Sequence, residues 1–171
     1  MNQLDGDLFV NGRLRTRFFT PPEQSIRNEA IASDAAVAAT KLQHQHCLSY
    51  QQAGGTDVAD DTHLLHIAAG AGSLAGLEVR PVTAPTGGDK AYTVDIQKAA
   101  DGSNSWTSLL NAPIEISVGQ SSADHTRQQA ILAASPAYAA GDALRLVITT
   151  SGSTGSQGQG VLVTVTLRED A

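Results

Sequence analysis

Alternation of apolar and polar residues is the feature that most constrains the fold of this sequence. A strand with one buried face has this period of two. The pattern predicts strands around residues 65–67, 77–79, 92–96, 114–118, 127–132, 144–148 and 161–167. Turn residues separate these segments, and no long helical period occurs. We therefore predict an all-β fold, an antiparallel β-sandwich of jelly-roll-like form with seven or eight strands.

Three parts of the chain differ in pattern. We predict an N-terminal β arm over 1–24, a linker and intersubunit segment over 25–62, and the β-sandwich domain over 63–171. Pro21-Pro22 interrupts the arm. The end of the linker, 43–62, is polar and contains Gly54-Gly55, which indicates an exposed connector.

The arm reads LDGDLFVNGRLRTRFF over 4–19. Asn11-Gly12 is a strong signal for a two-residue hairpin turn. Two short strands are not stable alone in water, so we expect the arm to dock on another surface. A disordered tail is the alternative. Arg13, Arg15 and Arg17 make the arm basic, which suits an acidic protein partner better than nucleic acid, because three arginines are few for tracking phosphates.

The linker sequence IRNEAIASDAAVAATKL, over 26–42, has neither a helical nor a strand period. Its alanines, with Ser25 as a cap, allow a short helix over about 28–39. An extended segment wrapped between subunits is equally compatible.

Composition excludes several functions. The net charge of −6 disfavours direct binding to nucleic acid or to an anionic membrane. Cys47 is the single cysteine, so an intrachain disulfide cannot form. We find no signal peptide and no apolar run long enough for a membrane span. Aromatic residues make up only 4% of the chain, which predicts a thin aliphatic core that association with further copies would complete.

His44 and His46 are the best metal candidates, because residues i and i+2 of a strand face the same way. No third ligand is evident nearby, since His63 and His66 lie beyond a loop. We therefore expect no metal here and interpret the histidines as polar residues of a subunit contact. The acids at 57–61 lack the ligand spacing of a calcium loop and are interpreted as a solvated loop.

No catalytic arrangement stands out. Ser122, Asp124 and His125 are too close in sequence to form a nucleophile, base and orienting group in line. The glycine-rich loop 152–160 has no lysine for phosphates and precedes a strand, so it is interpreted as a flexible hairpin loop. Trp106 could stack on a sugar ring, although a tryptophan more often fills a core or an interface. We predict no enzyme and no cofactor.

Two N-terminal stretches carry a resemblance to a known class. LDGDLFVNGRL resembles segments of bacteriophage fibre and appendage proteins, and NEAIASDAAVAATKL is similar to linkers of the same class. The later stretches AYTVDIQKA, LLNAPIEI, AAGDALRLVI and GQGVLVTVTL resemble the β-sandwich of phage virion proteins, including head-decoration and fibre proteins.

This resemblance implies a bacteriophage virion structural protein that forms homotrimers and attaches to a larger shell or tail. The function we expect is that of a trimeric capsid decoration (cement) protein, which stabilises the phage head and is assembled in the host cytoplasm. Its partner would be the major capsid protein of the same particle, with no nucleic acid and no membrane. The residues expected to anchor on the capsid are Leu8, Val10, Arg13, Arg15, Arg17, Phe18 and Phe19. Those expected at the trimer interface are Ile31, Val37, Leu42 and His44.

Two alternatives remain at this stage. The first is a receptor- or glycan-binding module of a phage fibre or tail, with its site in the loops around Trp106 and 151–160. The second is a cupin-like enzyme, which fits poorly because the histidines precede most of the strands.

Overall fold

Ten antiparallel strands form the part of the chain that the computed structural model describes, residues 43–119, 124–134 and 136–170. The strands are β1 (Gln43–Asp57), β2 (Asp61–Ile67), β3 (Gly72–Thr83), β4 (Ala91–Ala99), β5 (Thr107–Ser108), β6 (Ile114–Ser117), β7 (Gln128–Gln129), β8 (Ala137–Tyr138), β9 (Ala143–Ser151) and β10 (Gln159–Asp170). These residues form no helix, and hence none that is long and apolar enough to cross a bilayer.

The strands are divided between two sheets. Sheet A has the order β1-β10-β3, and both β7 and β8 pair with the remaining edge of β3. Sheet B has the order β2-β9-β4, with β5 and β6 on the remaining edge of β4. The predicted all-β class and antiparallel β-sandwich are confirmed.

One hydrophobic core lies between the sheets. Sheet A contributes Val79, Val163 and Val165, and sheet B contributes Tyr92, Val94 and Ile96, with other aliphatic residues around them. In β9 and β10 the inward side chains are buried and the outward ones are more exposed, because successive residues point to opposite faces. In β4, Asp95 is buried as well, between Val94 and Ile96. Aliphatic residues form most of this core; its aromatic members are Tyr92 and Tyr138. Burial raises the pKa of the Tyr92 hydroxyl, which has no hydrogen-bond partner among the described residues.

The sandwich begins earlier than the sequence pattern indicates. Residues 43–62, interpreted as a polar connector, contain the 15-residue strand β1 and the start of β2. Gly54-Gly55 lies in a bulge where the β1–β10 register shifts between Gln52 and Asp57. The chain passes close to Gly160 there, since a Cβ on Gly160 would lie 2.9 Å from the Cα of Gly54.

Other boundaries differ less. The strand expected around 77–79 is longer, since β3 includes Pro81, which lies opposite Val161. The strand expected over 127–132 is reduced to the two residues of β7, followed by a single bridge between Leu110 and Leu132. Val118 lies just beyond β6 and is exposed.

The long free edges of the two sheets lie on the same side of the sandwich. Among the described residues, β1 pairs only with β10 and β2 only with β9. The opposite edges are made of strands of two to four residues. Because β1 and β2 are joined by only three residues, 58–60, the chain crosses from sheet A to sheet B at this side.

Candidate functional site: the seam between the two edge strands

Polar side chains join β1 to β2 along the side of the sandwich, and we call this row of contacts the seam. On β1 the residues that face sheet B are half-buried, whereas the alternate residues are exposed. The half-buried residues are His46, Leu48, Tyr50 and Gln52; the exposed residues are Gln45, Cys47, Ser49 and Gln51.

Glu169 forms one end of the seam. Its carboxylate is 8% exposed and lies between two imidazole rings, one from each sheet. Nε2 of His66, on β2, is 2.9 Å from Oε1 and forms a hydrogen bond with it. Nε2 of His46, on β1, is buried and lies 3.3 Å from Oε2 without forming a hydrogen bond. The two ring centroids are 5.4 Å apart.

Tyr50 forms the other end of the seam. Its hydroxyl donates a hydrogen bond to the Asp61 carboxylate, and its ring lies 5.3 Å from the ring of His63. Burial, followed by the hydrogen bond to Asp61, raises the pKa of the Tyr50 hydroxyl. Beyond it, the Gln52 amide donates to the carbonyl of Ala59 at 3.0 Å and accepts from its N–H at 3.1 Å.

The seam therefore fastens the two sheets by polar contacts where the hydrophobic core ends. Nε2 of His46 and Nε2 of His66 both point at the Glu169 carboxylate, and not at a shared position that a metal ion could occupy. Across residues 43–119, 124–134 and 136–170, no group of three His, Cys, Asp or Glu side chains is arranged to hold a metal ion.

The predicted assembly residues are mostly outside this part of the chain. Every anchoring residue from Leu8 to Phe19, together with Ile31, Val37 and Leu42, lies outside the described residues. His44 lies on β1, opposite Glu169 in the register with β10, and its side chain is exposed. Its role at a trimer interface stays a prediction.

The acidic cluster after β1 has three separate structural roles. Asp57 lies 3.5 Å from the amide nitrogen of Gln159. Asp60 accepts hydrogen bonds at 2.6 Å from the N–H and from the hydroxyl of Thr150, which lower the pKa of its carboxyl group. Asp61 belongs to the seam. The cluster fastens the β1–β2 connection to β9 and β10.

Two members of the triad-like sequence at 122–125 hold a turn against the end of β3. Asp124 accepts a hydrogen bond from the N–H of Ala84 at 2.8 Å. His125 donates its backbone N–H to the carbonyl of Pro81 at 2.9 Å and has a φ of 59°. Ser122 lies outside the described residues.

Trp106 belongs to a polar network on the outer face of sheet B. The Arg145 guanidinium carbon lies 4.0 Å from the Trp106 ring centroid, a cation–π geometry. Arg145 also donates to the Gln97 side-chain oxygen at 3.0 and 2.8 Å. Gln97 donates to Asp95 at 2.9 Å, and this nearly buried carboxylate accepts from Ser108 at 2.6 Å. We call this network the Trp106 platform.

The loop 152–160 is attached to the loop before β4. Asp89 Oδ1 accepts from the N–H of Ser153 at 2.9 Å and from the N–H and hydroxyl of Thr154, each at 2.7 Å. These bonds lower the pKa of Asp89 to about 2. This loop follows the last residue of β9, Ser151, whereas Arg145, which contacts Trp106, lies near the start of β9. The six residues from Arg145 to Ser151 span roughly 20 Å along the strand. One glycan site made from both loops, as the sequence suggested, is therefore wrong.

A shallow polar hollow of about 490 Å³ lies on the outer face of sheet A. Its lining includes Gln45 of β1, Gly76 of β3, Arg168 of β10 and Gln129 of β7. Glu78, also in the lining, forms an ion pair with Arg127. The hollow is open to solvent and exposes no buried titratable group.

The residues that sequence reasoning missed have a recognisable signal only in part. Tyr50 and Gln52, which sequence reasoning did not name, continue the strand-face spacing of His44 and His46. This spacing identifies β1 once polar residues are accepted on an inner face. Glu169 gives no such signal, since its partner His66 is 103 positions away.

Comparisons with known proteins give distant similarities only. No family model matches, and no curated protein matches. A chain of the turnip yellow mosaic virus structure at 100 K has 16% identity and a TM-score of 0.31, covering 76% of this chain and 94% of that chain. A chain of desmodium yellow mottle tymovirus has 14% identity and a TM-score of 0.30, covering 99% and 96%. TM-scores of this size carry no argument about function.

Replacing Glu169 by alanine tests the seam. We expect Glu169→Ala to lower the free energy of unfolding by about 1–3 kcal/mol, because it leaves the His66 ring nitrogen without its buried acceptor. Urea unfolding of the full chain measures the change. Glu115→Ala, at an exposed position of β6, is the control and should stay within about 0.5 kcal/mol of the parent. Equal stability of the two variants would contradict the fastening role.

The Asp89 contact predicts a low titration midpoint. Its folded pKa lies below the unfolded value of about 3.9, so the ionised carboxylate stabilises the loop at higher pH. That stabilisation is lost as the pH falls through about 2. We expect the amide proton shifts of Ser153 and Thr154 to titrate together near pH 2, and not to titrate there in Asp89→Asn. A midpoint at or above 3.8 would show that the contact is absent.

Proposed function

We propose that this protein is a virion structural protein, a homotrimeric capsid decoration (cement) protein that binds the major capsid protein of its own particle. It acts through added contact area and not through chemistry. In this proposal the basic arm, with Arg13, Arg15 and Arg17, meets acidic groups of the shell. Residues 25–42, with Ile31, Val37 and Leu42, contact neighbouring copies together with His44.

The strand order supports a fold suited to this role. If β5 and β6 are counted as one interrupted strand on β4, and β7 and β8 as one on β3, each sheet has four strands in order. The two orders are then 1-8-3-6 and 2-7-4-5. We interpret this eight-stranded, double-sheet arrangement as a jelly roll, which viral capsid and lectin domains use. Because both capsid and lectin domains use this fold, the fold is compatible with a capsid role and with carbohydrate binding, and it does not decide between them.

The observation that carries the proposal is the exposed edge of β1. This 15-residue strand begins at Gln43, directly after the N-terminal segment, and its outer edge has no partner among the described strands. Long unpaired edges favour pairing with another chain. A free edge at the point where the segment expected to anchor the sandwich enters supports a role in assembly.

The oligomeric mass with and without residues 1–42 tests this proposal. We expect the full chain to have three times the 17.7 kDa chain mass by light scattering, and the shortened chain to have less. The shortening removes no described strand, because β1 begins at Gln43. Circular dichroism and a cooperative thermal transition would verify that it is folded. A monomer in both cases would rule out the trimer.

A glycan-binding module of a fibre or tail is the second candidate, and the Trp106 platform favours it. An indole beside the guanidinium of Arg145 and the amide of Gln97 combines a stacking surface with hydrogen-bonding groups, which sugar rings require.

A Trp106→Ala substitution tests this second candidate. If the platform binds sugars, we expect adsorption to host-cell glycans to fall about tenfold or more, the effect of losing roughly 1.4 kcal/mol of stacking. Trp106→Phe, which keeps an aromatic ring, should retain part of the binding. If both variants bound a glycan array as well as the parent protein, the glycan-binding candidate would be wrong and only the decoration role would remain.

A further inference from the structure

The outer edge of β1 lacks the features that normally keep sheet edges from pairing. Natural edge strands carry charged residues, prolines or bulges that block the approach of another strand. From Gln43 to Thr56, β1 has no charged residue and no proline. Its register with β10 runs without a shift from Gln43 to Gln52. The strand therefore offers ten residues of regular backbone whose outer hydrogen-bonding groups have no partner among the described residues.

The side chains on the outer face of this strand are compatible with their own copies. Gln45, Cys47, Ser49 and Gln51 are exposed and uncharged. Like charges directly opposite each other would destabilise an antiparallel pair, and none would occur here. In a chain with a net charge of −6, an uncharged strip of this length is a place where two copies can approach.

Symmetry selects the register. An isologous contact places the same residues on both copies around a two-fold axis. An axis at Cys47 pairs 43–51 of one copy with 43–51 of the other, which uses nearly the whole regular run and stays one residue clear of the bulge. Cys47 then lies opposite Cys47, and Gln45 lies opposite Ser49.

We propose that β1 pairs antiparallel with β1 of a second copy about a two-fold axis at Cys47, so that sheet A continues across two sandwiches. Leu64 and Ile67, 55% and 63% exposed on the neighbouring strand β2, border the same side and add apolar area. The contact is two-fold, so it goes beyond the proposed trimer and would join copies that belong to different trimers.

The native cysteine reports this contact directly. In an antiparallel pair, opposed Cα atoms are about 4.5–5.5 Å apart, within the range that a disulfide spans. We expect mild oxidation of the full chain to give a dimer linked through Cys47, visible on a non-reducing gel and by peptide mass. The yield of disulfide-linked dimer from the folded protein should be at least tenfold higher than the yield from the unfolded chain at the same concentration.

Two matched variants test the register. In Cys47→Ser/Ser49→Cys, the two new cysteines lie four residues apart along the paired strands, about 13 Å, and should not crosslink. In Cys47→Ser/Gln45→Cys/Ser49→Cys, position 45 of each copy faces position 49 of the other, and crosslinking should return. All three positions are exposed, so the substitutions should not disturb the core.

Two results would overturn the proposal. One is a failure of Cys47 to crosslink above the unfolded-chain level at concentrations up to about millimolar. The other is equal crosslinking of the parent and of Cys47→Ser/Ser49→Cys, which would indicate random collision. Neither result depends on the trimer, because the crosslink is identified by the Cys47–Cys47 peptide and not by the total mass of the assembly.

Discussion

The antiparallel pairing of β1 with β10 is the contact on which the rest of this structure depends. It adds a third long strand to sheet A, beside β10 and β3, after which three residues carry the chain to sheet B. It also places His46 and Tyr50 on the inner face of the sandwich, where His46 contacts Glu169 of β10 and Tyr50 binds Asp61 of β2. Without this pairing there would be no seam, and the side of the hydrophobic core would be open to water.

Sequence patterns predicted the strands whose buried faces are purely aliphatic. In β9 and β10, every inward residue from Leu144 to Ile148 and from Val161 to Leu167 is apolar, so the period of two is unmistakable. In β1 the residues on the inner face are both polar and apolar, so the hydropathy of the strand shows no period of two. These residues are His46, Leu48, Tyr50 and Gln52. An edge strand is only half covered, so its inner face can keep polar groups that a central strand cannot.

The candidate site was less predictable for a related reason. His44 and His46 could be recognised as a pair on one strand face. Glu169 reaches His46 only because the β1–β10 register places it opposite His44, two residues away, and sequence alone does not give this register. Asp124 and Asp60, for which the sequence predicted no catalytic or calcium-binding role, accept backbone hydrogen bonds that hold turns in place. Their partners, Ala84 and Thr150, are 40 and 90 positions away in the sequence, so the pattern around each aspartate could not indicate this role.

Both the seam and the outer edge of β1 follow from the position of this strand. Its inner face secures the fold through polar contacts, and its outer edge remains available for another chain. In an assembly that works by contact area, the same strand would then connect the stability of each subunit to the stability of the whole.

Hydrogen exchange of the β1 amides at low and high protein concentration tests this account most directly. In an antiparallel ladder, alternate residues direct their N–H groups to opposite sides. The account predicts that the amides directed at β10 are protected at every concentration, and that the alternate amides between Gln43 and Gln52 become protected only as the protein associates. Equal and fast exchange of those alternate amides in the monomer and in the assembled protein would contradict it.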